Sequence, residues 1–186
     1  TGLRDTPVIL ELIKGAQARG VDVTTEAYPY TAGSTAIGSA FFSDGWQERN
    51  SATYGDIQWP ATGERLTEES FYRFRKEQPD AAVVIHIIPQ EVVDQAISDP
   101  AVSIASDGMP WVTQGEHPRG AGTFSRVLGQ YVRERKLLDL PTAIAKMTIM
   151  PARRLEAVSP QMARKGRLQA GADADITIFD PATIHD

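Results

Sequence analysis

The chain reads as an α/β protein with parallel strands, the C-terminal portion of something larger. Three observations carry that reading. Short apolar runs alternate with stretches of helical spacing, the order expected of parallel βαβ units. The run Val102-Ser103-Ile104-Ala105 ends in Ser106-Asp107-Gly108, and α/β barrels keep chemically active carboxylates just past the C-terminal ends of their strands. The segment from Gly166 to Asp180 breaks the alternation and reads as β structure of a different region.

Each element has a local cause. Thr6-Pro7 opens a helix, because a threonine can cap and proline suits the first turn. Val8, Ile9, Leu12, Ile13 and Ala16 follow with helical spacing, and Gly20 closes it. Val21 to Ala27 alternates as a strand, with Val21, Val23 and Thr25 on one face. Tyr28-Pro29-Tyr30 must leave regular pairing, since Pro29 has no amide hydrogen. Residues 31–63 hold many Gly, Ser and Thr with scattered aromatics (Phe41, Phe42, Trp46, Tyr54, Trp59). They read as a long loop or lid insertion, the usual meaning of so long an excursion in a compact domain. A helix is expected from Thr67 to about Lys76 or Gln78. Ala82 to Ile88 is a continuous apolar run broken by one histidine, the pattern of a strand buried on both faces. A short helix follows from Pro89 to about Ile97, then the strand at 102–105. Thr123–Arg135 should be helical, with Phe124, Val127, Leu128, Tyr131 and Val132 inward. Helices at 141–148 and 151–155 come next, then strand-like segments at 166–168 and 171–180.

Only about three parallel strands can be counted, at 21–27, 83–88 and 102–105, whereas a closed barrel needs about eight. An open strand edge is therefore expected. It would support self-association or be covered by the 36–63 excursion.

Bulk properties narrow the class. The 186 residues are 41% hydrophobic and 23% charged, enough for a real core, with a formal charge of −5. That balance gives no reason to expect nucleic acid or an anionic membrane as partner, which leaves a small-molecule substrate. No apolar run approaches the ~18 residues of a transmembrane helix, and no leader is visible, so a cytoplasmic location is expected. The chain begins Thr1-Gly2-Leu3 rather than with Met, which suggests a natural start upstream. There are no cysteines, which excludes disulfides and thiolate metal sites within this chain.

Asp107 is the leading candidate for chemistry, and turn capping before Gly108 is the plain alternative. The segment Met109–Gly122 is polar and Gly-rich, as an active-site loop would be, and carries His117-Pro118-Arg119. His86 is either a satisfied core histidine or a pocket wall. Glu26, at a strand end, either faces a pocket or pairs with a basic neighbour. Asp173 and Asp175 read as a solvated turn, and Arg153-Arg154 as a surface pair.

Taken together, several segments resemble the amidohydrolase superfamily, and within it the D-aminoacylase (N-acyl-D-amino-acid deacylase) family. They are Asp22-Val23-Thr24-Thr25-Glu26-Ala27-Tyr28-Pro29-Tyr30-Thr31-Ala32-Gly33-Ser34-Thr35, Ile104-Ala105-Ser106-Asp107-Gly108, His117-Pro118-Arg119 with Gly122-Thr123-Phe124, and Pro151-Ala152-Arg153-Arg154-Leu155. The last is Gly171-Ala172-Asp173-Ala174-Asp175-Ile176-Thr177-Ile178-Phe179-Asp180-Pro181. The resemblance implies the C-terminal portion of a metal-dependent (β/α)8 barrel over 1–158, and over 159–186 a short terminal β segment from a β-sandwich domain. It implies that Asp107 ends the eighth strand, ligates the metal or its water, and serves as the catalytic base. A carboxylate suits both tasks, because it binds hard or borderline cations and a metal-bound water needs only a modest base. Tyr28 and Ser34 match positions that help hold the substrate's carboxylate, and Arg119 and His117 are further substrate-binding candidates. Zinc is implied for the full-length enzyme. The family's His-x-His pair, its Cys and its other His ligands are missing, since this chain has three His and no Cys. One ligand does not make a metal site, so the chain alone should neither retain zinc nor turn over substrate. The alternatives are a hydantoinase- or dihydroorotase-like cyclic amidase, and a non-catalytic interaction module.

Overall fold

The computed structural model describes residues 5–109 and 117–186. Part of the expected loop after Asp107 therefore lies outside the described residues. In order, the elements are α1 (Thr6–Ala18), β1 (Thr25–Ala27), β2 (Gly33–Ala36), α2 (Trp46–Asn50), β3 (Ile57–Gln58), α3 (Glu68–Glu77), β4 (Ala82–Ile85), α4 (Gln90–Ser98) and β5 (Val102–Ile104). Helix α5 (Arg119–Arg126) continues into a π-helical stretch, Val127–Glu134, followed by α6 (Leu140–Met147) and α7 (Ile149–Leu155). Short 3₁₀ turns lie at Ala40–Phe42, Tyr54–Asp56 and Pro160–Arg164.

The strands form two sheets. β1 and β5 pair in parallel, Ala27 opposite Ile104, and the Ala105 amide extends the ladder by donating to the Ala27 carbonyl at 3.1 Å. The second sheet has the order β2-β4-β3. Here the expectation of a third parallel strand is corrected: β4 runs antiparallel to both neighbours, with Ser34 opposite Val84 and Ile57 opposite Ile85. The expected 31–63 loop is corrected with it, because that segment supplies β2, α2 and β3 and so pairs both edges of β4. An apolar run buried on both faces looks the same in either orientation, so the pattern of 82–88 could not tell them apart.

The antiparallel unit has its own core. Ile37, Phe42, Trp46, Ile57, Trp59, Phe71, Val83 and Ile85 are buried together. Phe71 packs against Phe42, Trp46 and Tyr54 at 5.3, 5.9 and 5.2 Å between ring centroids, and Trp59 stacks on Phe74 at 4.0 Å. α3 is held at its start by Thr67 and Ser70, each side chain bonding the other's backbone amide.

The second core joins α4, β5, the π-helical stretch and α6 through Val93, Ile97, Ile104, Val127, Leu128, Tyr131, Leu138 and Ala143. Lys146 is fully buried there. Its ammonium donates to the carbonyls of Asp99 and Val102, which anchors the entry to β5. Burial pushes the Lys146 ammonium below its ordinary pKa. Phe124 is 45% exposed rather than inward. The residues that α5 buries are Arg119, Gly122 and Thr123, so its inward face lies one position N-terminal of Phe124. In α1, Leu10 is the buried residue, and Val8 and Leu12 are exposed at 60% and 67%.

The expected strands at 166–168 and 171–180 are not formed, and Ile176 and Ile178 are 64% and 94% exposed. A strand exists only with a ladder partner, and none of the described residues offers one. The chain beyond them does dock. Phe179 and Ile184 pack on the second core, and Arg133 donates to the carbonyls of Pro181 and Ile184 at 3.2 and 2.6 Å. Gly129 allows this approach, because a Cβ there would sit 2.6 Å from the Ile184 carbonyl oxygen.

Candidate active site

Because β1 and β5 are parallel, the residues that follow them emerge on one side. Tyr28-Pro29-Tyr30 follows β1, and Ser106-Asp107 follows β5. This is the carboxyl edge at which α/β sheets and barrels hold their sites.

The turn at 106–108 settles what Asp107 does locally. The Gly108 amide donates to the Ser106 hydroxyl at 3.1 Å, so among the described residues it is Ser106 that caps the turn. Asp107 has φ of 48°, left-handed backbone that side chains other than glycine seldom adopt. Its carboxylate meets the Arg119 guanidinium at 3.0 Å and is 62% exposed.

Arg119 is the hub. It is buried to 5% exposure at the first turn of α5. Besides Asp107, it lies over the Tyr28 ring at 5.4 Å and reaches the Ser34 carbonyl at 3.5 Å. Tyr28 is half-buried, and its hydroxyl lies beside Gly33, 3.6 Å from where a Cβ of that residue would be. Burial raises the Tyr28 phenol above its ordinary value, so it stays a neutral hydrogen-bond donor. Ser34 is half-buried in β2.

His117 sits behind this group at 6% exposure. One ring nitrogen, Nε2, lies 2.8 Å from the Ala32 carbonyl, and the other, Nδ1, lies 3.1 Å from the Arg119 amide. Tyr28 and Tyr30 meet the imidazole edge-on at 5.9 and 5.0 Å. Burial lowers its pKa, against the Ala32 hydrogen bond, which raises it.

The five site candidates read from the sequence thus lie in one connected group. Tyr30 was missed. Its hydroxyl donates to Asp186 at 3.4 Å, Arg126 lies over its ring at 4.6 Å and pairs with Asp186 at 2.6 Å, and burial and the Asp186 charge push its pKa up to about 12. The repeated tyrosine in Tyr-Pro-Tyr was the available signal. His86 follows β4 at the end of the antiparallel unit, level with Ala32 in the register, and donates through Nε2 to Gln58 at 2.8 Å. Glu26 is exposed.

A cavity of about 590 Å³ lies apart from this group, against Phe42, Trp46, Phe71, Tyr72 and Arg75. Its volume carries less weight than the cluster of charged and hydroxyl groups at the strand ends. Among the described residues, no three His, Cys, Asp or Glu side chains come together as a metal site. Asp107 is already paired with Arg119, so the described residues do not by themselves fit a zinc ion, which takes three or four protein ligands.

An α/β architecture with a carboxylate at a strand end defines a broad class, and comparison narrows it. The amidohydrolase family matches residues 1–186. The D-aminoacylase of Alcaligenes xylosoxydans xylosoxydans is 36% identical over 189 residues, covering 95% of this chain and 36% of that protein. The N-acyl-D-glutamate deacylase of the same organism is 33% identical over 94% of this chain and 35% of the relative. Among solved structures, the N-acyl-D-glutamate deacylase of Bordetella bronchiseptica, complexed with zinc and a phosphonate inhibitor, superposes with a TM-score of 0.78 at 31% identity, over 98% of this chain and 38% of that one. A D-aminoacylase structure gives the same TM-score at 29% identity. The chain belongs to the amidohydrolase family, on its D-aminoacylase side. It spans little more than a third of the length of these relatives.

Proposed function

We propose that this chain is the part of a zinc-dependent N-acyl-D-amino-acid deacylase that supplies the eighth-strand carboxylate and the wall that holds the substrate's own carboxylate. The supporting observation is the meeting of Asp107, Arg119, Tyr28 and Ser34 at the carboxyl edge of β1 and β5. Residues 1–158 would belong to the barrel, 31–63 would help cover its mouth, and 159–186 would join a β-sandwich whose other strands come from elsewhere in the enzyme. The zinc would be held chiefly by groups outside this chain.

Within this chain the chemistry assigned is proton transfer and anion binding. Asp107 accepts a proton from the attacking water and returns it to the amine nitrogen as the amide bond breaks. Arg119 offers a planar pair of N–H groups that suits a carboxylate, with the Tyr28 and Ser34 hydroxyls as further donors. An arriving substrate carboxylate competes for Arg119 and so releases Asp107 for its role. A wall built for a free carboxylate favours linear acyl amino acids over cyclic amides. No helix among the described residues is long and apolar enough to cross a membrane.

The test is kinetic, in the full-length enzyme. Asp107→Asn should lower kcat by at least ~10²-fold with N-acetyl-D-amino acids, the scale of lost general-base catalysis. The chain alone should show neither turnover nor stoichiometric zinc by elemental analysis. A near-normal kcat in Asp107→Asn, or zinc held tightly by the isolated chain through Asp107, would overturn the assignment.

A further inference from the structure

We infer that His117 is a positioning residue that holds Arg119 and Ser34 at a fixed separation and thereby sets the enzyme's preference for substrates with a free carboxylate. This rests on the assignment of Arg119 and Ser34 to the substrate's carboxylate.

The argument begins with valence. A backbone carbonyl can only accept a hydrogen bond and a backbone amide can only donate one. Nε2 faces the Ala32 carbonyl at 2.8 Å, so it carries the proton, and Nδ1 faces the Arg119 amide at 3.1 Å, so it does not. The imidazole is held as the neutral Nε2–H tautomer with both nitrogens occupied. It has no polar atom left for a substrate, and its contribution must pass through what it holds.

What it holds are the two halves of the carboxylate wall. Ala32 stands two residues before Ser34, on the segment that enters β2 of the antiparallel unit. Arg119 opens α5, on the side of the parallel pair. Among the described residues no strand ladder joins the two sheets. His117 bridges them with a rigid ring, its two bonds spanning 85 residues on one side and two on the other.

The local sequence makes this bridge necessary. The first amides of a helix need partners from outside it. Pro118 occupies the capping position of α5 and makes no side-chain cap, having no polar side chain to offer. His117 does that work one residue earlier. Tyr28 and Tyr30, edge-on at 5.9 and 5.0 Å, fix the plane of the ring. A hydrophobic residue in its place would leave the Ala32 carbonyl and the Arg119 amide buried without partners, the costly way to lose a hydrogen bond.

The test uses the full-length enzyme and two substrates, an N-acyl-D-amino acid and its carboxamide analogue. His117→Ala should raise KM for the free acid by about 10-fold or more while changing kcat less than about 3-fold, the mark of lost binding rather than lost chemistry. Turnover of the carboxamide should fall less than that of the acid, so the preference for the acid narrows. His117→Gln, whose amide can both donate and accept, should restore most of the preference. Equal losses on both substrates, or an unchanged KM for the acid, would overturn the inference. Arg119→Ala separates the two levels of argument. If it leaves the acid preference intact, the carboxylate wall itself is wrong; if it abolishes the preference and His117→Ala does not, only the positioning role is wrong. Should His117→Ala fail to fold, ¹⁵N NMR of the unmodified enzyme decides. An Nε2–H tautomer near neutral pH supports the bridge, and an Nδ1–H tautomer or an imidazolium contradicts it.

Discussion

Ile57 and Ile104 are both strand residues at 4% exposure or less, yet they are buried in different ways. The neighbours of Ile57 all come from residues 37–87, so the antiparallel unit recruits its core from one stretch of chain. Ile104 draws on Val93, Val127, Tyr131 and Ala143, and on Ala27 and Ile184 near the two ends. The hydrogen bonds divide in the same way. β4 is paired along both edges, whereas β1 and β5 each pair along one edge among the described residues. Antiparallel strands can be joined by short connections, but parallel ones need a crossover, so their partners are distant in sequence. The candidate site therefore lies at a junction between the two regions. Ser34 comes from the locally closed unit, Asp107 and Arg119 come from the dispersed one, and His117 ties them together.

If the antiparallel unit is as self-contained as its core suggests, its centre can be removed without touching the other region. Phe71→Ala should have the largest effect on stability, about 3–5 kcal/mol, as expected for emptying an aromatic position at the middle of a core. Urea denaturation would measure it, and hydrogen exchange should place the loss within residues 33–87. Equal loss of protection in β5 and α6 would mean that the two cores unfold as one.

The dispersed region should answer to contacts far along the chain. Gly129→Ala puts a Cβ against the Ile184 carbonyl, a backbone atom that cannot simply rotate away. A destabilisation of about 1–3 kcal/mol is expected, the range for overpacking. Protection should fall around 181–186 and not in α3. A neutral result would show that the 181–186 segment does not bear on this core.

The smallest predicted effect is a pH slope that both regions share. His86 in one and His117 at the junction are both held below their ordinary 6.5, in each case chiefly by burial. The unfolded chain therefore binds more protons than the folded one once the pH falls below about 6.5, and stability must drop as pH falls from there toward the folded-state values. Above that pH the two imidazoles add no slope. Urea midpoints measured from neutral pH down to about 5, above the range in which carboxylates titrate, should decline. His86→Gln should flatten part of the decline while leaving the antiparallel unit folded. A flat profile in the unmodified chain would mean that both rings take up protons without cost.

Much of this was legible in the residues alone. Helices 68–77, 90–98 and 140–147 lie within a few residues of where apolar spacing put them, because each has an amphipathic face, the first and last are capped by Thr67 and Asp139, and the second starts after Pro89. The site candidates came from motif order and from a carboxylate at a strand end, and the structure brings Tyr28, Ser34, Asp107, His117 and Arg119 into one group. Lys146 was less legible. Its spacing from Ala143 puts it on the buried face of α6, but a lysine's type argues for solvent until two carbonyls are found to receive its protons.

By itself, then, the sequence determined which segments are apolar and regular, where the turn residues fall, and which titratable groups lie near strand ends. Those follow from local rules of spacing, capping and backbone freedom. Only the tertiary structure decided that 82–85 runs antiparallel between two strands of the 31–63 excursion, that 171–180 finds no ladder partner among the described residues, and that His117 is a neutral bridge. Each of these depends on what stands opposite in space. A ladder partner, a buried carbonyl or an amide across a junction is supplied by residues as many as 85 positions away, and no local pattern names it.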